Sequence, residues 1–88
     1  MKAVRLFHQK KRFPDGSIIE MKIWKIPDGL KYSLVYIEKG KRVIGYDNAE
    51  RKGDHRHYEE MEKSYKFVSI DKLVEDFLDD IKERRRGL

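Results

Sequence analysis

Apolar residues recur at about every second position through the first half of this chain, and at every third or fourth position near its end. Val4 and Leu6, then Phe7 and Phe13 among basic residues, predict a first strand over roughly residues 3–13. Its basic end runs into Pro14-Asp15-Gly16, where proline presets one turn angle and Asp and Gly tolerate the conformations that reverse the chain. Ser17 to Ile26 then reads as a second strand, with Ile19, Met21 and Ile23 on one face. Ile18, Trp24 and Ile26 fall on its other face, beside Glu20 and Lys22. Pro27-Asp28-Gly29 repeats the reversal, and Leu30, Tyr32, Leu34 and Tyr36 alternate along a third strand, opposite Lys31, Ser33, Val35 and Ile37. A Gly40-Lys41 turn leads to a fourth strand over Arg42–Asp47, marked by Val43, Ile44 and Tyr46. Three short reversals in succession predict an antiparallel meander. Ser64 to Val68 reads as a short fifth strand.

The period then changes. Ile70, Leu73, Val74, Phe77, Leu78 and Ile81 form one apolar stripe at helical spacing, which predicts a helix over about 70–85. Ser69 is placed to cap it through its hydroxyl, and Val68 and Leu73 occupy the positions of a hydrophobic staple. Asp71, Glu75, Asp76, Asp79, Asp80 and Glu83 flank the stripe, while Lys82, Arg84, Arg85 and Arg86 suit the negative C-terminal end. The expected fold class is α+β: an antiparallel meander of four to five strands with one C-terminal helix packed on one face, in a single domain over 1–88. One helix covers only one face of such a sheet. The other face, with Trp24 and much of the basic charge, is left for a second copy, a protein partner or a nucleic acid.

Composition sharpens this. The 88 residues are 39% hydrophobic and 42% charged, too apolar for a disordered chain. Without cysteine, disulfides and thiolate metal sites are excluded. No apolar run approaches the roughly 18 residues of a membrane span, and no signal-peptide core is apparent, so a soluble cytoplasmic protein with no membrane partner is expected. The net charge of +5 is unevenly spread: residues 1–46 carry eleven Lys/Arg against four Asp/Glu, whereas each later segment is slightly acidic. The basic excess therefore belongs to the strands, where it either attracts a polyanion such as RNA or protects exposed strand edges.

Chemistry-capable side chains concentrate between Tyr46 and Tyr58. The segment holds two of the three histidines and the one asparagine. In an extended chain His55 and His57 project from the same face. A histidine pair can divide acid and base work near neutral pH, as internal transesterification of RNA requires. Asp47 could orient one imidazole, and Lys52 or Arg56 could steady the charge on the phosphorane. The same histidines with Asp54 or Asp47 could instead hold zinc or manganese in a metal-dependent nuclease. A third reading is structural: Asp47, Asn48 and Asp54 cap loop amides, and the chain is a non-catalytic binding module.

Tyr46-Asp47-Asn48, the block Lys52-Gly53-Asp54-His55-Arg56-His57, and Tyr65-x-Phe67 before a Leu-containing helix resemble the TumE family. Arg12-Phe13-x-Asp15-Gly16-Ser17 is similar to that family's opening hairpin, so the resemblance covers nearly the whole chain. Ala49-Glu50-Arg51 stands where many members carry further histidines. The resemblance implies a toxin component acting beside a helix-turn-helix antitoxin. Asp47, Asn48, Lys52, Asp54, His55 and His57 match the family's positions. The expected function is then a metal-independent endoribonuclease that needs no cofactor, with His55, His57 and Asp47 catalytic, Asn48, Lys52, Asp54 and Arg56 binding, and a homodimer as a further expectation.

Overall fold

In the computed structural model, which describes residues 3–48 and 53–87, six strands follow one another in space as they do in sequence. They are β1 (Val4–Arg12), β2 (Ile18–Ile26), β3 (Gly29–Glu38), β4 (Lys41–Asp47), β5 (His55–Tyr58) and β6 (Met61–Ser64), each antiparallel to the next. A single helix, α1 (Ile70–Arg86), closes the described chain. The α+β expectation holds, but the sheet has six strands rather than four or five.

The first reversals follow the residues that announced them. Asp15 Oδ1 accepts the Ser17 amide at 2.9 Å, and Gly16 takes φ 90°, so both turn residues do what their chemistry allows. The difference lies beyond β4. The short strand expected over Ser64–Val68 is absent past Ser64; the histidine segment is itself a strand, and it forms a hairpin with β6. The two-residue loop of that hairpin is Glu59-Glu60, with Glu59 at φ 55°. A left-handed glutamate costs about 1 kcal/mol and carries none of the Asn-Gly signal by which such turns are read. Arg84 Nη1, 2.7 Å from Glu59 Oε1, helps hold it there.

Alternation sets the core. Ile19, Met21 and Ile23 of β2 lie opposite Tyr36, Leu34 and Tyr32 of β3, and Tyr46 and Ile44 of β4 continue the same face. Leu73, Phe77 and Ile81 of α1 bury themselves against it. The Tyr46 ring meets Phe77 and Tyr65 edge-on, at centroid distances of 6.0 and 4.9 Å. Ser69 caps the helix by accepting the Lys72 amide at 3.1 Å. The expected staple does not form, because Val68 remains 66% exposed while Leu73 is fully buried.

The acidic flank of α1 does more than face water. Tyr46 donates its hydroxyl to Asp80 at 2.6 Å and Tyr65 to Asp76 at 2.6 Å. Arg84 grips Glu38 at 2.9 Å, and Arg85 donates to the Tyr36 hydroxyl at 2.9 Å. Burial, followed by the carboxylate acceptor, pushes the Tyr46 phenol well above the ordinary tyrosine range. The helix is thus tied to the sheet by oriented polar bonds as well as by apolar burial.

Candidate functional site

The face that α1 leaves open is assembled by register. Lys22 of β2 pairs with Ser33 of β3, Ser33 with Asp47 of β4, and Asp47 with His55 of β5. Two residue pairs along, Gly45 lies opposite His57, and His57 opposite Glu62 of β6. Trp24 and Lys31 face each other on the opposite side of the first row, with the Lys31 ammonium 5.9 Å from the indole centre. Because strand side chains alternate, every one of these residues projects from the same face. His-x-His at period two therefore sets both imidazoles on one surface, side by side.

A cleft of about 380 Å³ opens there, lined by both histidines, Asp47 and Glu62 together with Lys22, Trp24, Lys31, Ser33 and Arg42. The imidazole centres are 6.4 Å apart, with the rings tilted by 41°. His57 stands between two carboxylates: Nε2 is 3.4 Å from Asp47 Oδ2 and Nδ1 is 3.6 Å from Glu62 Oε1. His55 Nε2 is 3.7 Å from the other oxygen of Glu62. These contacts exceed the roughly 2.7–2.9 Å of a tight charge-assisted hydrogen bond, so the imidazoles are oriented without being locked. Both histidine side chains are about six-sevenths buried, at 15% and 14% exposure, whereas Glu62 is 54% exposed at the rim.

Gly45 shapes the cleft by what it lacks. A β-carbon at this position would stand 3.2 Å from Arg42 Cδ and 3.5 Å from its Nε, so the bare backbone gives the Arg42 side chain room to lie across β4 toward the cleft. Arg42, Lys31 and Lys22 give one wall three cations. An anion entering the cleft would meet those charges next to the imidazoles, with the Trp24 ring as an apolar platform.

Other residues singled out in the sequence lie elsewhere. Arg56, between the histidines, points to the helix side, where its Nη2 contacts Asp80 Oδ1 and Oδ2 at 3.0 and 2.8 Å and its guanidinium lies 5.3 Å from the Tyr46 ring. Asn48 is a strut: its carbonyl oxygen accepts the Tyr32 amide at 2.9 Å, and its amide donates to the Leu30 carbonyl at 2.7 Å. Asp54 accepts the buried Tyr32 hydroxyl at 2.6 Å. Burial, then this bond, pushes the Tyr32 phenol far above its ordinary range. Lys52 lies outside the described residues. The structure thus gathers Asp47, His55 and His57 on the open face, and gives Asn48, Asp54 and Arg56 partners in the scaffold.

A family model described as Toxin TumE matches residues 3–85, nearly the whole chain. The chain belongs to the TumE toxin family. No curated protein and no solved structure matches it. TumE membership makes the chain a toxin component of a toxin–antitoxin pair, with an antitoxin as its partner. No helix among the described residues is long and apolar enough to cross a membrane.

For this TumE member, the described His, Asp and Glu residues form no group of three or more arranged to hold a metal ion. Asp54, one ligand weighed for that role, is turned away to Tyr32. The contributions of Glu62, Arg42 and Gly45 escape a linear reading. Glu62 is brought to the histidines only by the Glu59-Glu60 hairpin, and Arg42 and Gly45 only by the pairing of β4 with its neighbours. The available signal was weak: Glu62 and Ser64, like His55 and His57, are separated by the strand period of two.

Proposed function

We propose that this toxin acts on RNA as a metal-independent endoribonuclease, with His55 and His57 as its acid and base. The observation that carries this reading is the pairing register of β2 to β6, by which two imidazoles, two carboxylates and three cations share one cleft beside a half-buried indole. One imidazole removes the proton from a 2′-hydroxyl, whose oxygen attacks the adjacent phosphorus. The other gives a proton to the departing 5′-oxygen, leaving a 2′,3′-cyclic phosphate and a free 5′-hydroxyl. His57 faces two carboxylates and His55 one, so the two rings are inequivalent, as a division between acid and base requires. Asp47 orients His57. The phosphorane charge falls to Arg42, Lys31 and Lys22 rather than to Arg56, which is engaged with Asp80. A base stacked on Trp24 would favour single-stranded RNA, since a duplex keeps its bases stacked on each other.

Inducible expression of the wild type and of the double variant His55→Ala/His57→Ala, with growth and total RNA followed together, tests the proposal. Growth arrest with RNA cleavage by the wild type alone is the expected result. If the double variant arrests growth and cleaves RNA as the wild type does, the histidines are not the catalysts. Cleavage by the purified wild type that EDTA abolishes would favour the metal-dependent alternative.

A further inference from the structure

The edge of the sheet farthest from His55 and His57 is open. All nine residues of β1 are exposed, and among the described residues β1 pairs only with β2, so its outer row of amides and carbonyls has no strand partner there. Val4 and Leu6 on it are 56% and 50% exposed. This long edge, apolar at Val4, Leu6 and Phe7 and basic elsewhere, is a template for a strand whose charges suit it. The helix does not cover it, because α1 packs chiefly over β4. Between α1 and the first two strands remains a cavity of about 630 Å³ with a floor that includes Phe13, Met21, Leu78 and Ile81. Its rim carries Lys11, Lys82, Arg85 and Arg86, and no acidic residue lines it among those described.

Charge selects the occupant. β1 holds Arg5, Lys10, Lys11 and Arg12 and no carboxylate. A second copy pairing antiparallel about His8 would set Arg5 opposite Lys11 and add a second basic rim to the first, and directly opposed like charges destabilise such a pair. An acidic segment meets no such repulsion. We propose that this groove and the free edge of β1 are the docking surface for the antitoxin, which supplies an acidic extended segment with apolar residues at alternate positions. Backbone pairing to β1 provides the affinity, the alternate apolar side chains enter the groove, and the intervening carboxylates, on the other face of the added strand, meet Lys10 and Arg12, which lie across from Glu20 and Ile18. This inference rests on membership of a toxin family for the existence of the partner, but not on ribonuclease activity.

A short fluorescent peptide alternating Val and Glu, titrated with the full chain, is a direct probe; its counterpart alternating Val and Lys is the control. The acidic peptide binds at least about tenfold more tightly, in a salt-sensitive manner. Amide shift changes are confined to β1 and the flank of α1 around Leu78 and Ile81. In the variant Lys10→Glu/Arg12→Glu, with an unchanged melting temperature, the preference reverses toward the Lys peptide. Equal binding of the two peptides, or shifts centred elsewhere, overturns the proposal. So does a wild-type dimer in sedimentation whose interface maps to this groove, because the occupant is then a second copy. Growth arrest is scored separately: a harmless wild type that still binds the acidic peptide counts against the ribonuclease reading and leaves the docking surface supported.

Discussion

The helix-covered face and the histidine cleft handle carboxylates in opposite ways. On the helix-covered face Tyr32, Tyr46 and Tyr65 donate to Asp54, Asp80 and Asp76 at 2.6 Å, and Tyr36 donates to Glu38 at 2.8 Å. Arg56 and Arg84 add charge to Asp80 and Glu38. On the open face Asp47 and Glu62 approach imidazole nitrogens no closer than 3.4 Å, and three cations line the cleft around them. Tight, short bonds to buried hydroxyls fix the fold in one arrangement. Looser contacts around the imidazoles leave room for the proton transfer proposed above. The difference separates residues that hold the molecule together from residues available for chemistry, even when they are neighbours in sequence, as His55, Arg56 and His57 are.

The largest expected effect is on the covered face. Phe77→Ala removes a fully buried ring against Tyr46 and should cost about 3–5 kcal/mol, enough to lower the melting temperature by well over ten degrees in a chain of this size. A thermal melt within a few degrees of wild type would mean that α1 is not the cover of this core. Tyr46→Phe keeps the packing and deletes one hydrogen bond, leaving Asp80 to Arg56 alone. It should cost about 1 kcal/mol in chemical denaturation, with no change in RNA cleavage.

The same face sets an alkaline limit. The phenols of Tyr32 and Tyr46 titrate above their ordinary value of 10.0, first because they are buried and then because each donates to a carboxylate. As pH rises past 10, the unfolded chain releases these protons before the folded one does. Their contribution is therefore complete below about pH 10 and is lost above it. Tyrosinate absorbance from these two residues should appear together with the loss of far-ultraviolet dichroism; five tyrosines titrating smoothly in a folded chain would contradict this.

The smallest effects sharpen the contrast between two arginines. Arg42→Ala on the open face should lower the salt dependence of single-stranded RNA binding by about 0.7 of one ion released. Arg56→Ala should leave that slope unchanged and cost about 1 kcal/mol of stability at most, since its side chain is 41% exposed and water screens its pair with Asp80. Equal slopes for the two variants would show that RNA does not occupy this cleft.

What the sequence reveals depends on how local the determinants are. The first three hairpins, β2 to β4 and the helix are legible because alternation, Asp-Gly turns and a helical stripe are written in neighbouring residues. The hairpin from His55 to Ser64 was hidden, because its turn is Glu59-Glu60 and the strain at Glu59 is relieved by Arg84, twenty-five positions away. For the same reason Arg56 read as a phosphate contact: its charge is local, but its commitment to Asp80 arises only when α1 folds back. The histidine pair was visible because a spacing of two has the same consequence in any strand. Glu62, Arg42 and Gly45 join the site through pairing between strands, which the linear pattern does not record.

On the proposed reading the open-face histidines, and not the polar groups of the helix-covered face, carry the chemistry. Purified wild type and His55→Ala/His57→Ala, incubated with an end-labelled single-stranded RNA in EDTA, test it most directly, with product termini identified and melting temperatures measured alongside. Cleavage to 2′,3′-cyclic phosphate ends by the wild type, a loss of at least about 10²-fold in the variant, and unchanged RNA affinity and thermal stability are the predicted results. Undiminished cleavage by a folded double variant would show that the chemistry lies elsewhere.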